Sequence, residues 1–226
     1  MVVRYLGHSS FWISSSKGTA VVTDPYGTHI PYSFPPLESD IVLISHEHRD
    51  HNADYRVNGK PMVVKRTHDF QCEMEVKSPR TGEVLTFQGI PTFHDNVSGR
   101  RFGPNTVWQW YWEGILFCHL GDLGHLLTDQ QIKTIGKVDV LFCPVGGKIC
   151  LNPTEASLVV SQLNPRLVFP MHYKTAAIEN HNLAEFTVDD FASKMSSVED
   201  AATMAMDIDL ARLPTQTKVV LLRYET

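Results

Sequence analysis

Short apolar runs bounded by turn formers recur along the chain, and residues 2–6, 10–14, 19–23, 41–44, 61–65 and 84–93 read as strands. Turns fall at Gly7 and His8 and at Ser15 to Gly18, so the first three runs form an antiparallel ribbon. Trp108, Trp110 and Trp112 alternate and share one face of the next strand, where core packing is favoured over a stacking platform for substrate. Further strands are expected over 115–120, 138–143, up to Pro170, and at 218–223.

Helices are sparse. Thr128 is placed to cap one that opens at Asp129, Asn152 to cap one with Pro153 in its first turn, and an amphipathic segment near 187–196 reads as a third. Residues 24–40 carry Pro25, Gly27, Pro31, Pro35 and Pro36 among Tyr26, Tyr32 and Phe34, which excludes regular structure. That loop either walls one side of a pocket or packs on its own aromatics. No fixed-period repeat is present, but strands precede helices in each half, and the pattern alone gives an α/β class.

Composition narrows the setting. A chain of 226 residues suits one domain spanning 1–226 with a sizeable core. Its net charge of −5 offers no general attraction for phosphate backbones or anionic lipid, so nucleic acid is disfavoured as a partner. The four cysteines, Cys72, Cys118, Cys143 and Cys150, form no C-x-x-C pair and read as free thiols of a reducing compartment. Neither a signal segment nor an apolar stretch of bilayer-spanning length is evident, so a cytoplasmic protein with no membrane partner is expected.

The chemistry concentrates after the run Ile41 to Ile44, in Ser45-His46-Glu47-His48-Arg49-Asp50-His51-Asn52. In extended backbone His46 and His48 project to one side, and a turn from Arg49 returns Asp50 and His51 beside them. Imidazole nitrogen and carboxylate oxygen are the donors preferred by zinc and similar divalent cations. Farther on, Gly121 and Gly124 bracket Asp122 at a strand end, giving a backbone free to approach a metal closely, and a glycine-rich loop follows His94.

The spacing His46-x-His48-x-Asp50-His51, followed by Thr92-Phe93-His94-Asp95, Leu120-Gly121-Asp122 and Pro170-Met171-His172-Tyr173, resembles the metallo-β-lactamase superfamily. Tyr5-Leu6-Gly7-His8-Ser9 and Thr23-Asp24-Pro25 are similar to the opening of its small, single-domain metal-dependent hydrolases, the branch with ascorbate-phosphate lactonase-like enzymes. The resemblance covers nearly the whole chain. It implies an αββα sandwich of two mixed sheets, with loops from both sheets meeting at one edge.

The same resemblance assigns His46, His48 and His94 to one divalent ion and Asp50, His51 and His172 to a second, with Asp122 bridging. Zinc is the first choice, and manganese, iron or nickel also suit these donors. The implied enzyme is a dinuclear hydrolase that uses a metal-bound hydroxide on a small-molecule substrate: an ester, a lactone or a phosphodiester. Asp50 would also serve catalysis, His125 could donate a proton to a leaving group, and Arg101 and Asn105 are candidate substrate anchors. His8 is open between supporting a ligand and no role, while His68, His119 and His181 read as ordinary core or surface histidines. Two alternatives stay open: a nuclease or cyclic-nucleotide phosphodiesterase, and a catalytically silent metal-binding protein of the same fold. Assembly into a homo-oligomer is also open.

Overall fold

Ile41–Ile44 is buried at all four positions, which is what a β-branched run needs when both its faces are covered. The computed structural model describes residues 1–66 and 71–224, so His68 lies outside the described residues. In chain order the strands are β1 (Val2–Gly7), β2 (Ser10–Ser14), β3 (Ala20–Thr23), β4 (Ile41–Ile44), β5 (Met62–Lys65), β6 (Cys72–Lys77) and β7 (Val84–Phe93). They continue with β8 (Pro104–Trp112), β9 (Ile115–His119), β10 (Val140–Pro144), β11 (Leu167–Met171), β12 (Val198–Asp200), β13 (Ala205–Asp207) and β14 (Lys218–Leu221). Helices α1 (Asp129–Ile135), α2 (Pro153–Leu163) and α3 (Val188–Ala192) all fall in the second half.

The strands make two mixed sheets. One has the order β13-β1-β2-β3-β4-β5, the other β12-β14-β11-β10-β9-β8-β7-β6. Pairing is parallel from β3 to β5 and antiparallel from β1 to β3, so β1, β3 and β4 run in one sense. In the second sheet β9, β10 and β11 are parallel, and two antiparallel steps return β7 to their direction. The C-terminal ends of these strands gather on one edge of the sandwich, where Trp108 Nε1 donates to Ile44 O and Thr106 N to Ser45 O across the sheets.

Alternation sorts the first sheet's side chains. Val21, Ile41 and Leu43 face the core between the sheets with Phe87, Trp108, Trp110 and Phe117. Val22, Val42 and Ile44 face outward into a cluster with Tyr26, Ile30 and Tyr32 of the proline-rich loop. That loop therefore supplies the outer layer of the first sheet. The expected helix of the first half is replaced, among the described residues, by this loop and a 3₁₀ turn at Asp54–Arg56. On the second sheet α1 packs against β7 and α2 against β10, with full capping boxes at Thr128 and Asn152. The third helix is shorter than its periodicity predicts, five residues behind a capping box at Thr187. All four cysteines are free, Cys72 half-buried and the others buried, and among the described residues no helix is long and apolar enough to cross a membrane.

At the far end of β4 the buried Asp40 ties the sheets together. It accepts from Ala20 N at 2.8 Å, Ser78 Oγ at 2.9 Å, and Arg80 Nε and Nη2 at 2.9 and 2.7 Å. Burial opposes its charge, but Arg80 and the other donors hold its carboxyl below the ordinary aspartate range. Because the folded-state value is depressed, the stabilisation is present above about pH 4, the unfolded aspartate value, and is lost as pH falls below it. Asp40→Ala is expected to cost about 2 to 3 kcal/mol at neutral pH, the worth of hydrogen bonds to a charged group. Urea unfolding of variant and wild type at pH 7 and pH 3 checks this: the gap should narrow at the lower pH.

Candidate metal centre

The site is assembled from residues just beyond strand ends. His8 follows β1, Asp24 follows β3, His46, His48, Asp50 and His51 follow β4, His94 follows β7, Asp122 follows β9 and His172 follows β11. Three of these, His8, Asp24 and His172, hold φ of 54°, 37° and 52°, left-handed values that L side chains avoid. Such strain persists only where the surroundings over-determine it. The bracketing glycines answer to packing: a Cβ on Gly124 would stand 2.5 Å from Asp95 N, and one on Gly121 would strike Asn105 and Ser45.

Among the described residues three groups of candidate donors result, His46 with His48 and His94, His8 with Asp50, His51 and His172, and Asp24 with His46 and His51, which links the first two; within each, the donor atoms lie within 4.8 Å of one another. Asp122 stands between the first two. Its Oδ2 is 3.1 Å from the Nε2 atoms of His51, His94 and His172 alike. Close as these contacts are, among the described residues the Nε2 atoms of His46, His51, His94 and His172 and both Asp122 oxygens are buried and make no well-aligned hydrogen bond. Leaving such an atom bare costs about 1 to 3 kcal/mol, more for charged groups. Buried imidazole and carboxylate donors converging on one small volume suit a divalent cation, and the His/Asp cluster is able to bind metal.

On His51, His46 and His172 the ring nitrogen facing away is held by a neighbour. Asp24 Oδ2 lies 2.9 Å from His51 Nδ1 and accepts from Ser45 Oγ at 2.6 Å, while its Oδ1 accepts from Ser45 N at 2.7 Å. Ser45 Oγ in turn lies 2.9 Å from His46 Nδ1. Cys150 Sγ lies 3.9 Å from His172 Nδ1. Each contact turns the opposite nitrogen, Nε2, toward the cluster.

Burial pushes the His46 and His48 pKa down, and the neighbouring imidazoles push the same way. For His51 and His172 burial also disfavours charge, but Asp122 overrides it and raises both. Burial opposes the charge of Asp122 and of Asp50, yet both are depressed, Asp122 chiefly by His172 and His51 and Asp50 chiefly by His51 and by the hydrogen bond from His8. His8, buried beside His172, drops to about 4 and is neutral near pH 7.

A cavity of about 350 Å³ opens beside the cluster, lined by His94, Arg101, Phe102, Lys148, Cys150 and Glu185 among others. A second, of about 290 Å³, lies against His46, His48 and the shared Phe102. Residues 24–40 line neither. Arg101 does face the first cavity. Asn105 does not: it is fully buried, its amide donating to Thr92 Oγ1 and Leu120 O while its Oδ1 accepts from Asp122 N, so it braces the Asp122 backbone. His125 is also committed, with Nε2 accepting from Phe93 N at 3.2 Å and Nδ1 donating to Leu126 O at 2.8 Å. Neither ring nitrogen is free to serve a leaving group. His119 is a satisfied core histidine between Ser9 O and Gly121 N, and His181 is exposed.

Two features escaped the sequence reading. Asp95, next to His94, accepts four backbone N–H groups, from Val97 and Gly99 on Oδ1 and from Arg101 and Phe102 on Oδ2, at 2.8 to 3.0 Å. Burial opposes its charge, yet those donors bring its carboxyl down to about 2. Lys148 follows Gly146 and Gly147 beyond β10 with φ of 61°. A glycine pair at the end of an apolar strand was the available signal.

The model of the beta-lactamase superfamily domain matches residues 2–172. The chain is 29% identical over 199 residues to a UPF0173 metal-dependent hydrolase of Methanoculleus marisnigri, covering 82% of this chain and 87% of that one. A relative of the same name in Desulforamulus reducens is 26% identical over 234 residues, covering 92% and 96%. Among solved structures, a candidate zinc-dependent hydrolase of the metallo-β-lactamase superfamily from Thermotoga maritima superposes with a TM-score of 0.77 at 32% identity, covering 99% of each chain. The chain belongs to the beta-lactamase superfamily. Within it, the chain is a metal-dependent hydrolase.

Proposed function

We propose that the protein is a dinuclear hydrolase of a small ester, lactone or phosphodiester, with His46, His48 and His94 holding one divalent ion and Asp50, His51 and His172 the other. The observation that carries this reading is the position of Asp122 Oδ2, 3.1 Å from a nitrogen of the first group and from two of the second. One carboxylate then serves both halves. When bound, two such ions acidify a water and polarise the substrate oxygen, so no side-chain nucleophile is needed. Zinc fits this donor set first, and manganese, iron or nickel are the alternatives to be compared.

The chain's own groups supply the rest. Asp50 orients the attacking water and takes its proton. Asp24 and Ser45 hold the His51 and His46 rings in register, and the buried walls around Asp122 keep bulk water from screening the charges. Arg101, carried into the cavity by the loop that Asp95 ties down, is placed to meet an anionic part of the substrate. The net charge of −5 favours a small molecule over a nucleic acid.

Elemental analysis of gently purified protein, before and after metal addition, tests the dinuclear core: two ions per chain are expected, and saturation at one would remove it. A screen of metal-replete protein across phosphodiesters, lactones and esters then selects the substrate class. Arg101→Ala is expected to raise KM for a phosphorylated or carboxylated substrate by about tenfold or more, the loss of one charge-assisted contact, and to leave a neutral ester nearly unchanged. Equal effects on both would retire Arg101 as an anchor.

A further inference from the structure

The turn Gly7-His8-Ser9 reaches the centre from a strand that contributes no proposed ligand. The His8 side chain is fully buried, and its Nε2 lies 3.1 Å from Asp50 Oδ2. Its carbonyl oxygen accepts from His172 N at 2.8 Å and from Tyr5 Oη at 2.8 Å, and its ring packs 4.2 Å from that of His172, centroid to centroid. One residue thus holds the carboxylate of Asp50 through its side chain and the backbone of His172 through its main chain. It does so at φ 54°, a conformation a histidine adopts at a cost. Glycine or asparagine would make this turn with less strain, so the turn itself does not account for an imidazole here.

Asp50 sits on a loop. A loop carboxylate has several rotamers, and binding an ion would mean paying to order it, unless a fixed donor already has. The first group lacks any such brace from β1: His46 is held by Ser45, and among the described residues no hydrogen-bond partner is found for His94 Nδ1. Apart from Tyr5 and Tyr26, the contacts of His8 fall on Asp50, His51 and His172, all of the second group.

We infer that His8 is a positioning residue for the second half of the metal centre, donating from Nε2 to fix the Asp50 carboxylate so that Asp50, His51 and His172 present their donors together. The inference rests on the dinuclear reading above. It assigns the β1–β2 turn a role in metal affinity at one site and leaves the other site independent of it.

Two substitutions separate this role from a merely conformational one. Gln places its amide nitrogen where Nε2 stands, so His8→Gln keeps the reach to Asp50. Asn accepts the left-handed turn more readily but is too short, so His8→Asn keeps the turn and loses the donor. The affinities of both ions are measured by competition with a chromophoric chelator on wild type and variants, using zinc as the probe, with melting of the metal-free proteins as the control for folding. Expected is a loss of about 10 to 100-fold for one ion in His8→Asn, the usual effect of removing a group that orients a ligand, against a few-fold change in His8→Gln. The other ion should keep its affinity in both. Wild-type affinities for both ions in His8→Asn would overturn the proposal, as would equal losses in the two variants or a greater loss in His8→Gln. Wild type that saturates at one ion would instead overturn the dinuclear reading, and the proposal with it.

Discussion

Asp122→Ala is expected to weaken both ions at once and to lower kcat/KM by more than about 100-fold. The floor comes from comparison: removing a group that only orients a ligand already costs about 10 to 100-fold in affinity or activity, and Asp122 Oδ2 itself stands against nitrogens of both halves. Three ligands would remain on each side, enough to hold an ion weakly, so excess metal should restore occupancy before it restores rate. Chelator competition measures the first and steady-state kinetics the second. A variant with one affinity reduced and the other unchanged would show that Asp122 serves a single ion.

Asp50→Asn gives the other large effect. The substitution keeps the shape of the side chain and removes its charge, so the His46, His48 and His94 half should retain its ion while the second binds more weakly. The rate constant kcat should fall by roughly 10²- to 10⁴-fold if Asp50 also takes a proton from the attacking water. Assay at saturating metal separates the two contributions. Full recovery of kcat would confine Asp50 to metal affinity, and a deficit that persists with both ions bound would place it in catalysis.

Much of the frame was legible because it obeys local rules. Ile41–Ile44 is a short β-branched run and is a strand buried throughout; the three alternating tryptophans share the core; Thr128 and Asn152 cap the helices their sequences announce. The cluster from His46 to His51 was legible for a similar reason, its members being neighbours in sequence. Asn105 and His125 were misread because a polar side chain in a glycine-rich stretch looks free until its partners are known. Those partners, Leu120 and Asp122 for the one and Phe93 for the other, come from different strands. The proline-rich loop was ambiguous on the same ground. Its aromatics could have faced substrate or the first sheet, and only the register of β3 and β4 decides that Val22, Val42 and Ile44 present an apolar face to be covered. Asp95 was noted only as part of the motif around His94; its role was invisible because its work is done on main-chain amides, which have no signature in sequence.

That last feature bears on how such a protein can change. The four groups that Asp95 gathers are amide N–H donors of residues 97, 99, 101 and 102, and every amino acid except proline supplies one. The path of the loop is thereby insulated from the identity of most side chains along it. His94, one residue away, stays where β7 puts it. On the function proposed above, selection can therefore exchange the residues that face the cavity, Arg101 included, while the His/Asp edge beside them is inherited unaltered, and a new substrate preference needs no new catalytic apparatus.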